Sequence, residues 1–209
     1  MQQRSPTQVL NGWPLVGVAA AVILASAGVA IAITPDSGEA AARVVRLTAR
    51  TSVALFLAAF TAAALWRLWP NAWTRWQRQN RRYLGVSFAV SHGVHLAAIF
   101  WLQHVRPVEF AQSVNAIAWV GGGLAYVFIA AMTATSFDRT AQLIGPRAWK
   151  ILHTTGSHYI WLIFANSYIG RALAMPEYIP AAALVLLALG LRIAAHVARP
   201  RPAQPAVAG

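Results

Sequence analysis

The chain has 209 residues, of which 58% are hydrophobic and only 11% are charged, and its net charge is +12. A soluble domain has about 25% charged residues, so the composition indicates an integral membrane protein. Its basic residues stand in short segments between apolar runs and form no basic domain, which excludes a nucleic-acid partner. The lack of cysteine excludes disulfides, thiol catalysis, cysteine-ligated iron–sulfur clusters and covalent haem attachment.

Six apolar segments follow one another, each close to the roughly 20 residues that cross a bilayer as a helix. They cover residues 13–34, 52–69, 83–103, 116–135, 148–170 and 179–197. We therefore predict an all-α integral membrane six-helix bundle over residues 13–198. Residues 1–12 are predicted to be an N-terminal cytoplasmic segment and residues 199–209 a disordered cytoplasmic tail. The first segment is expected to be a retained span, because its apolar run exceeds the usual signal-peptide core.

The basic residues predict the orientation. Numbering the sides alternately from the N-terminus, one side has twelve arginines and lysines and the other has five. Because basic residues concentrate on the cytoplasmic side, both termini are predicted to be cytoplasmic in a bacterial-type inner (plasma) membrane. The five on the outer side are Arg43, Arg46, Arg50, Arg106 and Arg171.

Four histidines lie inside two of these predicted spans: His92 and His95 in the third, and His153 and His158 in the fifth. Ionisable side chains are costly in hydrocarbon and therefore mark candidate functional sites. Imidazole is a common metal ligand and the proximal ligand of many haems. His92 and His95 share one helical face, whereas His153 and His158 diverge by about 140°, so the second pair cannot face the same ring. At about 1.5 Å per residue, the depth of His158 matches the third-span pair better than that of His153.

Other side chains have two interpretations. A membrane histidine can simply form a hydrogen bond between helices, and His104 and His196 fall at span ends where solvation suffices. Gly121, Gly122 and Gly123 could leave room for a macrocycle or allow tight helix packing, as could Gly156 beside His153. Arg192 interrupts the last span and either extends to the membrane surface or pairs with a cofactor carboxylate.

Three runs resemble the ferric-reductase-like transmembrane superfamily: LTARTSVALFL, NRRYLGVSFAVSHGVHL and PRAWKILHTTGSHYIWL, similar to parts of its second, third and fifth spans. Members of this superfamily include the haem-binding membrane subunit of the bacterial methionine sulfoxide reductase system and the membrane domains of NADPH oxidases. The resemblance covers about residues 40–170. It implies haem b between the third and fifth spans, held by one histidine from each.

The resemblance implies that His95 and His153 are the metal ligands, with His92 and His158 as alternates. Arg81 and Asn166 stand where two-haem members carry further histidines, so one haem is expected, although two remain an alternative. Arg81 and Arg82 belong to a basic linker that could hold haem carboxylates, bind an electron donor or contact anionic lipid.

We therefore expect a haem-binding membrane electron-transfer subunit that contacts membrane lipids. The sequence contains no glycine-rich nucleotide loop, so electrons are expected from a separate flavin reductase or from quinol and to leave to an acceptor on the outer side. The alternative is a cofactor-free small membrane transporter or assembly factor with structural histidines.

Overall fold

The computed structural model describes residues 10–198, and this part of the chain is helical with no strand, which confirms the all-α prediction. The predictions for residues 1–9 and for the tail 199–209 lie outside the described residues. A single 3₁₀ turn, Pro176–Tyr178, precedes the last helix. The α-helices of the described part are α1 Trp13–Ala32, α2 Ser37–Leu68, α3 Ala72–Gln79, α4 Arg81–Val105, α5 Pro107–Ser113, α6 Ala116–Ala134, α7 Asp138–Ala174 and α8 Ile179–Val197.

Four helices are long and apolar enough to cross a membrane: α1, α2, α4, and α8 with the 3₁₀ turn that precedes it. A fifth span results if α5 and α6, which meet at 90°, count as one. Helix α7 contains the fifth predicted span but does not meet the same criterion, because His153, His158 and Asn166 are among the polar residues that lower its hydropathy. A multi-pass membrane protein is therefore supported, with four or five helices in the described residues that are apolar enough to span; six spans are not confirmed.

The long helices run alternately between two ends of the bundle. The backbone N–H of Gly12, before α1, donates to Asn80 Oδ1 at 2.9 Å, and Arg67 near the end of α2 donates to the carbonyl oxygen of Ala198 at 2.6 Å. Both described chain ends therefore lie at one end of the bundle, which we call the terminal end. The α1–α2 and α4–α5 connections lie at the opposite, distal end.

A helix start in α2 and a kink in α7 explain where the sequence prediction and the fold differ. Helix α2 begins at Asp36, whose carboxylate accepts a hydrogen bond from the Glu39 N–H at 2.7 Å and caps the helix. The helix is therefore longer than the predicted span at residues 52–69. In α7, Gly145 has φ of 74° and is followed by Pro146, so the helix kinks at a residue that tolerates the left-handed region.

The centre of the bundle combines small hydroxyl residues with aromatic rings. Ser52 of α2 donates to Ser91 of α4 at 2.9 Å, and both side chains are fully buried. Small residues allow two helix backbones to approach closely, and their hydroxyls form hydrogen bonds across the interface. Beside this contact lies a group of four rings that we call the aromatic layer, whose members are Phe56, Phe88, His92 and Phe164.

Candidate functional site: two histidine cavities

Two large cavities lie within the described part of the bundle, one near each end, and they share no lining residue. The distal one has a volume of about 860 Å³ and is lined by His92 and His95; we call it the His95 cavity. The other has a volume of about 720 Å³ and is lined by His153; we call it the His153 cavity. Both volumes lie within the roughly 300–1,000 Å³ range of small-molecule and cofactor sites.

Helices α2, α4, α6 and α7 together form the His95 cavity. Its charged lining residues are Arg46, Arg50 and Arg171, and its lining includes no acidic residue. Arg46 and Arg50 are four residues apart on α2 and therefore lie on the same face of that helix. The cavity thus combines an imidazole with three cations that lack a neutralising carboxylate in the lining. Its aromatic lining residues are Phe100, Phe110, Trp119, Tyr126, Phe164, Tyr168 and Tyr178.

The hydrogen bonds of His95 define its tautomer. His95 Nδ1 lies 3.1 Å from the carbonyl oxygen of Val45 and 3.0 Å from Thr48 Oγ1. A carbonyl oxygen only accepts, and the Thr48 hydroxyl already donates to the carbonyl oxygen of Val44 at 2.6 Å. Nδ1 of the neutral ring therefore carries the proton and donates it. Nε2 keeps its lone pair and has no hydrogen-bond partner among the described residues, which is the state of a ligating histidine.

His92 stacks beside His95 and does not face it across the cavity. The two rings are nearly parallel, with centroids 5.1 Å apart, and Tyr126 stacks on His92 at 4.9 Å. His92 Nδ1 is buried without a hydrogen-bond partner among the described residues. Because both imidazoles project from one face of α4, they cannot bind one iron from opposite sides.

His153 is bound in a different way. Its Nε2 lies 3.0 Å from Thr135 Oγ1, and the Thr135 hydroxyl donates to the carbonyl oxygen of Ala131 at 2.8 Å. Nε2 of His153 therefore donates to Thr135 and is not available to a metal in this arrangement. The indole of Trp149 stacks on the His153 ring with centroids 4.1 Å apart.

The predicted pair of His95 and His153 is thus not brought together, since each lines its own cavity. His158 lines neither of them; its Nδ1 donates to the carbonyl oxygen of Thr154 at 2.8 Å, and its ring meets the Phe60 ring edge-on. His104 and His196, predicted to lie at span ends, are exposed.

Three basic residues that the sequence singles out lie together at one cavity. Arg81, Arg82 and Arg192 line the His153 cavity. Asn166, which like Arg81 stands where two-haem members of the resembled superfamily carry a histidine, lines the His95 cavity.

The four glycines considered as candidates for a macrocycle site divide into two kinds. A Cβ on Gly122 or Gly123 would have no atom within 4 Å, and both residues line the His95 cavity. A Cβ on Gly156 would lie 2.5 Å from Met132 Sδ, and one on Gly121 would lie 3.2 Å from Ile163 Cδ1. Tight packing between α6 and α7 therefore explains Gly121 and Gly156, while Gly122 and Gly123 leave room inside the cavity.

The sequence analysis counted Arg46, Arg50 and Arg171 only as topology determinants and did not place them at a site. One signal was available: Arg43, Arg46 and Arg50 recur at helical spacing, and Asp36 with Glu39 three residues later is a helix-start pattern. Together these features indicate a helix that carries basic residues toward the third-span histidines.

The donor chemistry of the His95 cavity fits haem better than a bare metal ion. Among residues 10–198, no three histidine, aspartate or glutamate side chains are grouped so as to hold a metal ion. Haem iron needs only axial ligands from the protein, because the porphyrin supplies the others. The accessible Nε2 of His95, the three arginines and the space at two glycines match an axial ligand, carboxylate partners and room for a macrocycle.

No family model, no curated protein and no solved structure matches the chain, so the resemblance to the ferric-reductase-like superfamily rests on its own motifs.

Proposed function

We propose that the protein is a haem b-binding membrane protein of the ferric-reductase-like type that transfers electrons across or into the bilayer. All six long helices would cross the membrane, with α7 covering its polar residues inside the bundle. The termini would be cytoplasmic in a bacterial-type plasma membrane, as the twelve-to-five distribution of basic residues favours.

The observation that carries this proposal is the hydrogen bonding of His95. Metal-ligating histidines almost always donate their other ring N–H to a carbonyl, carboxylate or water, which fixes the tautomer and raises ligand basicity. Val45 and Thr48 do this for His95, at 3.1 and 3.0 Å. We therefore propose that His95 would bind the iron of a haem held in the His95 cavity.

The lining of the cavity supports the same assignment. Arg46, Arg50 and Arg171 would hold the propionate carboxylates, because guanidinium groups pair with carboxylates through directed hydrogen bonds. Gly122 and Gly123 would admit the ring close to the α6 backbone. His153 stays a separate candidate ligand, whose Nε2 would first have to leave Thr135.

A haem bound here supplies one-electron redox chemistry at a potential that depends on its axial ligand and its burial. The chain's own residues would supply the rest: His95 would bind and orient the haem, the arginines would balance the carboxylate charge, and the aromatic lining would exclude water. We propose that electrons come from a separate flavin reductase or membrane quinol and pass to an acceptor on the outer side.

The test is the visible absorption spectrum of the purified protein in its oxidised and reduced states. We expect a haem b spectrum that His95→Ala abolishes or changes strongly and that His104→Ala, with an exposed side chain, leaves intact. His92→Ala, His153→Ala and His158→Ala assign any second ligand. A purified protein without haem absorbance would instead favour the cofactor-free transporter or assembly factor.

A further inference from the structure

The His153 cavity is rich in cations that the proposed haem site does not use. Arg81 and Arg82 at the start of α4, Lys150 on α7 and Arg192 on α8 all line it. Asp138 is the one acidic residue in the lining. Three helices therefore direct basic residues to one cavity at the terminal end of the bundle.

Two of these cations are paired within the protein and two are not. Arg82 forms an ion pair with Asp138 at 2.7 Å, yet its Nε is buried without a hydrogen-bond partner among the described residues. Arg192 donates to the carbonyl oxygen of Phe60 at 2.8 Å and lies over the Phe60 ring. Arg81 and Lys150 have neither a hydrogen bond nor an ion pair in residues 10–198.

The position of the arginines in α4 increases the positive potential. The first turn of α4 contains no acidic residue, and its N-cap, Asn80, makes no capping hydrogen bond because its side chain binds elsewhere. The N-terminus of a helix is already the positive end of its dipole, so Arg81 and Arg82 add charge where an acid would normally stand. This arrangement favours an anionic ligand.

Part of the remaining lining is apolar, alongside several threonines and serines. Aromatic and aliphatic side chains, Phe56, Phe60, Phe88, Ile129, Met132 and Ile160, line the cavity alongside the cations. Arg81 and Lys150 are exposed, whereas Phe56, Phe60 and Phe88 are buried. The cavity thus has a cationic rim and an apolar floor, which suits a ligand with an anionic head and an apolar chain.

The protein itself holds the His153 ring in this cavity. Its Nε2 is bound to Thr135, and Trp149 covers one face of the ring. Neither contact uses the cations of the lining, so Arg81 and Lys150 are free to bind an anionic ligand.

We propose that the His153 cavity binds a phosphate group, and specifically the headgroup phosphate of an anionic phospholipid. Arg81, Arg82 and Lys150 contact the phosphate, and an acyl chain covers the phenylalanine floor. This lipid would link α4, α7 and α8 at the terminal end of the bundle. The inference does not depend on haem being present in the other cavity.

The experiment is native mass spectrometry of the purified full-length chain, titrated with phosphatidylglycerol or with phosphatidylcholine. We expect the wild type to retain phosphatidylglycerol in preference to phosphatidylcholine. The double variant Arg81→Gln/Lys150→Gln should bind phosphatidylglycerol about 25-fold more weakly, at about fivefold for each basic residue removed. The matched control is Arg139→Gln/Arg147→Gln, which removes two exposed arginines outside the cavity lining.

A competition with millimolar inorganic phosphate separates the two sources of the phosphate group. Failure of inorganic phosphate to displace the lipid supports the phospholipid. Displacement by phosphate alone, equal retention of the two lipids, or equal losses in the test and control variants would overturn it. Circular dichroism of each variant confirms that it is folded, and the haem spectrum reports the His95 cavity separately.

Discussion

At the scale of single residues, Thr48 carries a role that its type alone does not suggest. The side chain is fully buried, donates to the Val44 carbonyl oxygen and accepts from His95 Nδ1 at 3.0 Å. We predict that Thr48→Val weakens the proposed haem binding about 10-fold, because it removes one of two acceptors that orient the His95 ring. Haem titration of the purified protein measures this, and Thr48→Ser should restore binding.

Thr61→Val is the control for this prediction, since Thr61 is on the same helix and, among residues 10–198, its side chain forms hydrogen bonds to Leu57 of α2 and to Gln77. Equal haem affinities for Thr48→Val and Thr61→Val would argue against His95 as the ligand.

A second residue-scale prediction concerns pH. Asp36 caps α2 through the Glu39 N–H and binds Arg106 at 2.5 Å, and these contacts, the backbone one first, lower the Asp36 pKa below its ordinary 3.8. A carboxyl whose pKa falls on folding stabilises the fold above its unfolded pKa, and this contribution is lost as pH falls through the folded pKa. Arg106 also binds Glu109 at 3.2 Å, so it stays paired in part.

We therefore expect the thermal midpoint of the detergent-solubilised protein to fall as pH is lowered from 5 to below 3.8. Asp36→Asn keeps a capping oxygen but loses the charge, so its midpoint should start lower and vary less with pH. A wild-type profile with the same slope as that of Asp36→Asn would contradict this role.

At the scale of helices, the contact between α6 and α7 depends on Gly156. A Cβ there would lie 2.5 Å from Met132 Sδ and 3.1 Å from Phe128 Cδ1. We predict that Gly156→Ala lowers stability by about 1–3 kcal/mol, because overpacking displaces side chains or separates the helices. Gly93→Ala on α4, where a Cβ meets nothing within 4 Å, should be neutral or slightly stabilising. Thermal unfolding compares the two, and equal losses would contradict the packing argument.

The helices also show what the sequence could and could not predict. Hydropathy placed α1, α4, α6 and α8 within about a turn of their observed bounds, because lipid-facing helices are continuous apolar runs. It missed the first turns of α2 because Arg43, Arg46 and Arg50 interrupt the apolar run, although the Asp36 cap starts the helix earlier.

The histidine site was predictable only in part, because its geometry depends on contacts between helices. Composition selected the four membrane histidines, the depth comparison favoured His158, and the family resemblance implied His95 and His153. The separation of His95 and His153 into two cavities comes from contacts between helices. His95 meets Val45 across 50 positions of sequence, and His153 meets Thr135. A local sequence pattern does not predict which ring nitrogen of a histidine will form a hydrogen bond to another helix.

At the scale of the whole molecule, the two ends of the bundle should lie on opposite sides of the membrane. The chain has no cysteine, so single cysteines can report each side. We predict that a membrane-impermeant maleimide labels Gln112→Cys at the distal end in intact cells and leaves Gln142→Cys unlabelled until the cells are opened. Both residues are exposed. The reverse labelling would place the termini outside, and labelling of both in intact cells would contradict the alternating arrangement.

The aromatic layer lies between the cavities, with Phe56 and Phe88 lining one of them and His92 and Phe164 lining the other. The Phe56 ring is 5.4 Å from Phe88 and 5.3 Å from Phe164, and all three phenylalanines are buried. Such a layer is a dielectric barrier, and a charge that crosses the whole bilayer does work of about 2.3 kcal/mol per 100 mV. An electron that reaches the proposed haem in the His95 cavity from the terminal end of the bundle would traverse part of this voltage drop. Turnover in sealed vesicles should therefore build up a membrane potential, and it should slow when an opposing potential is imposed.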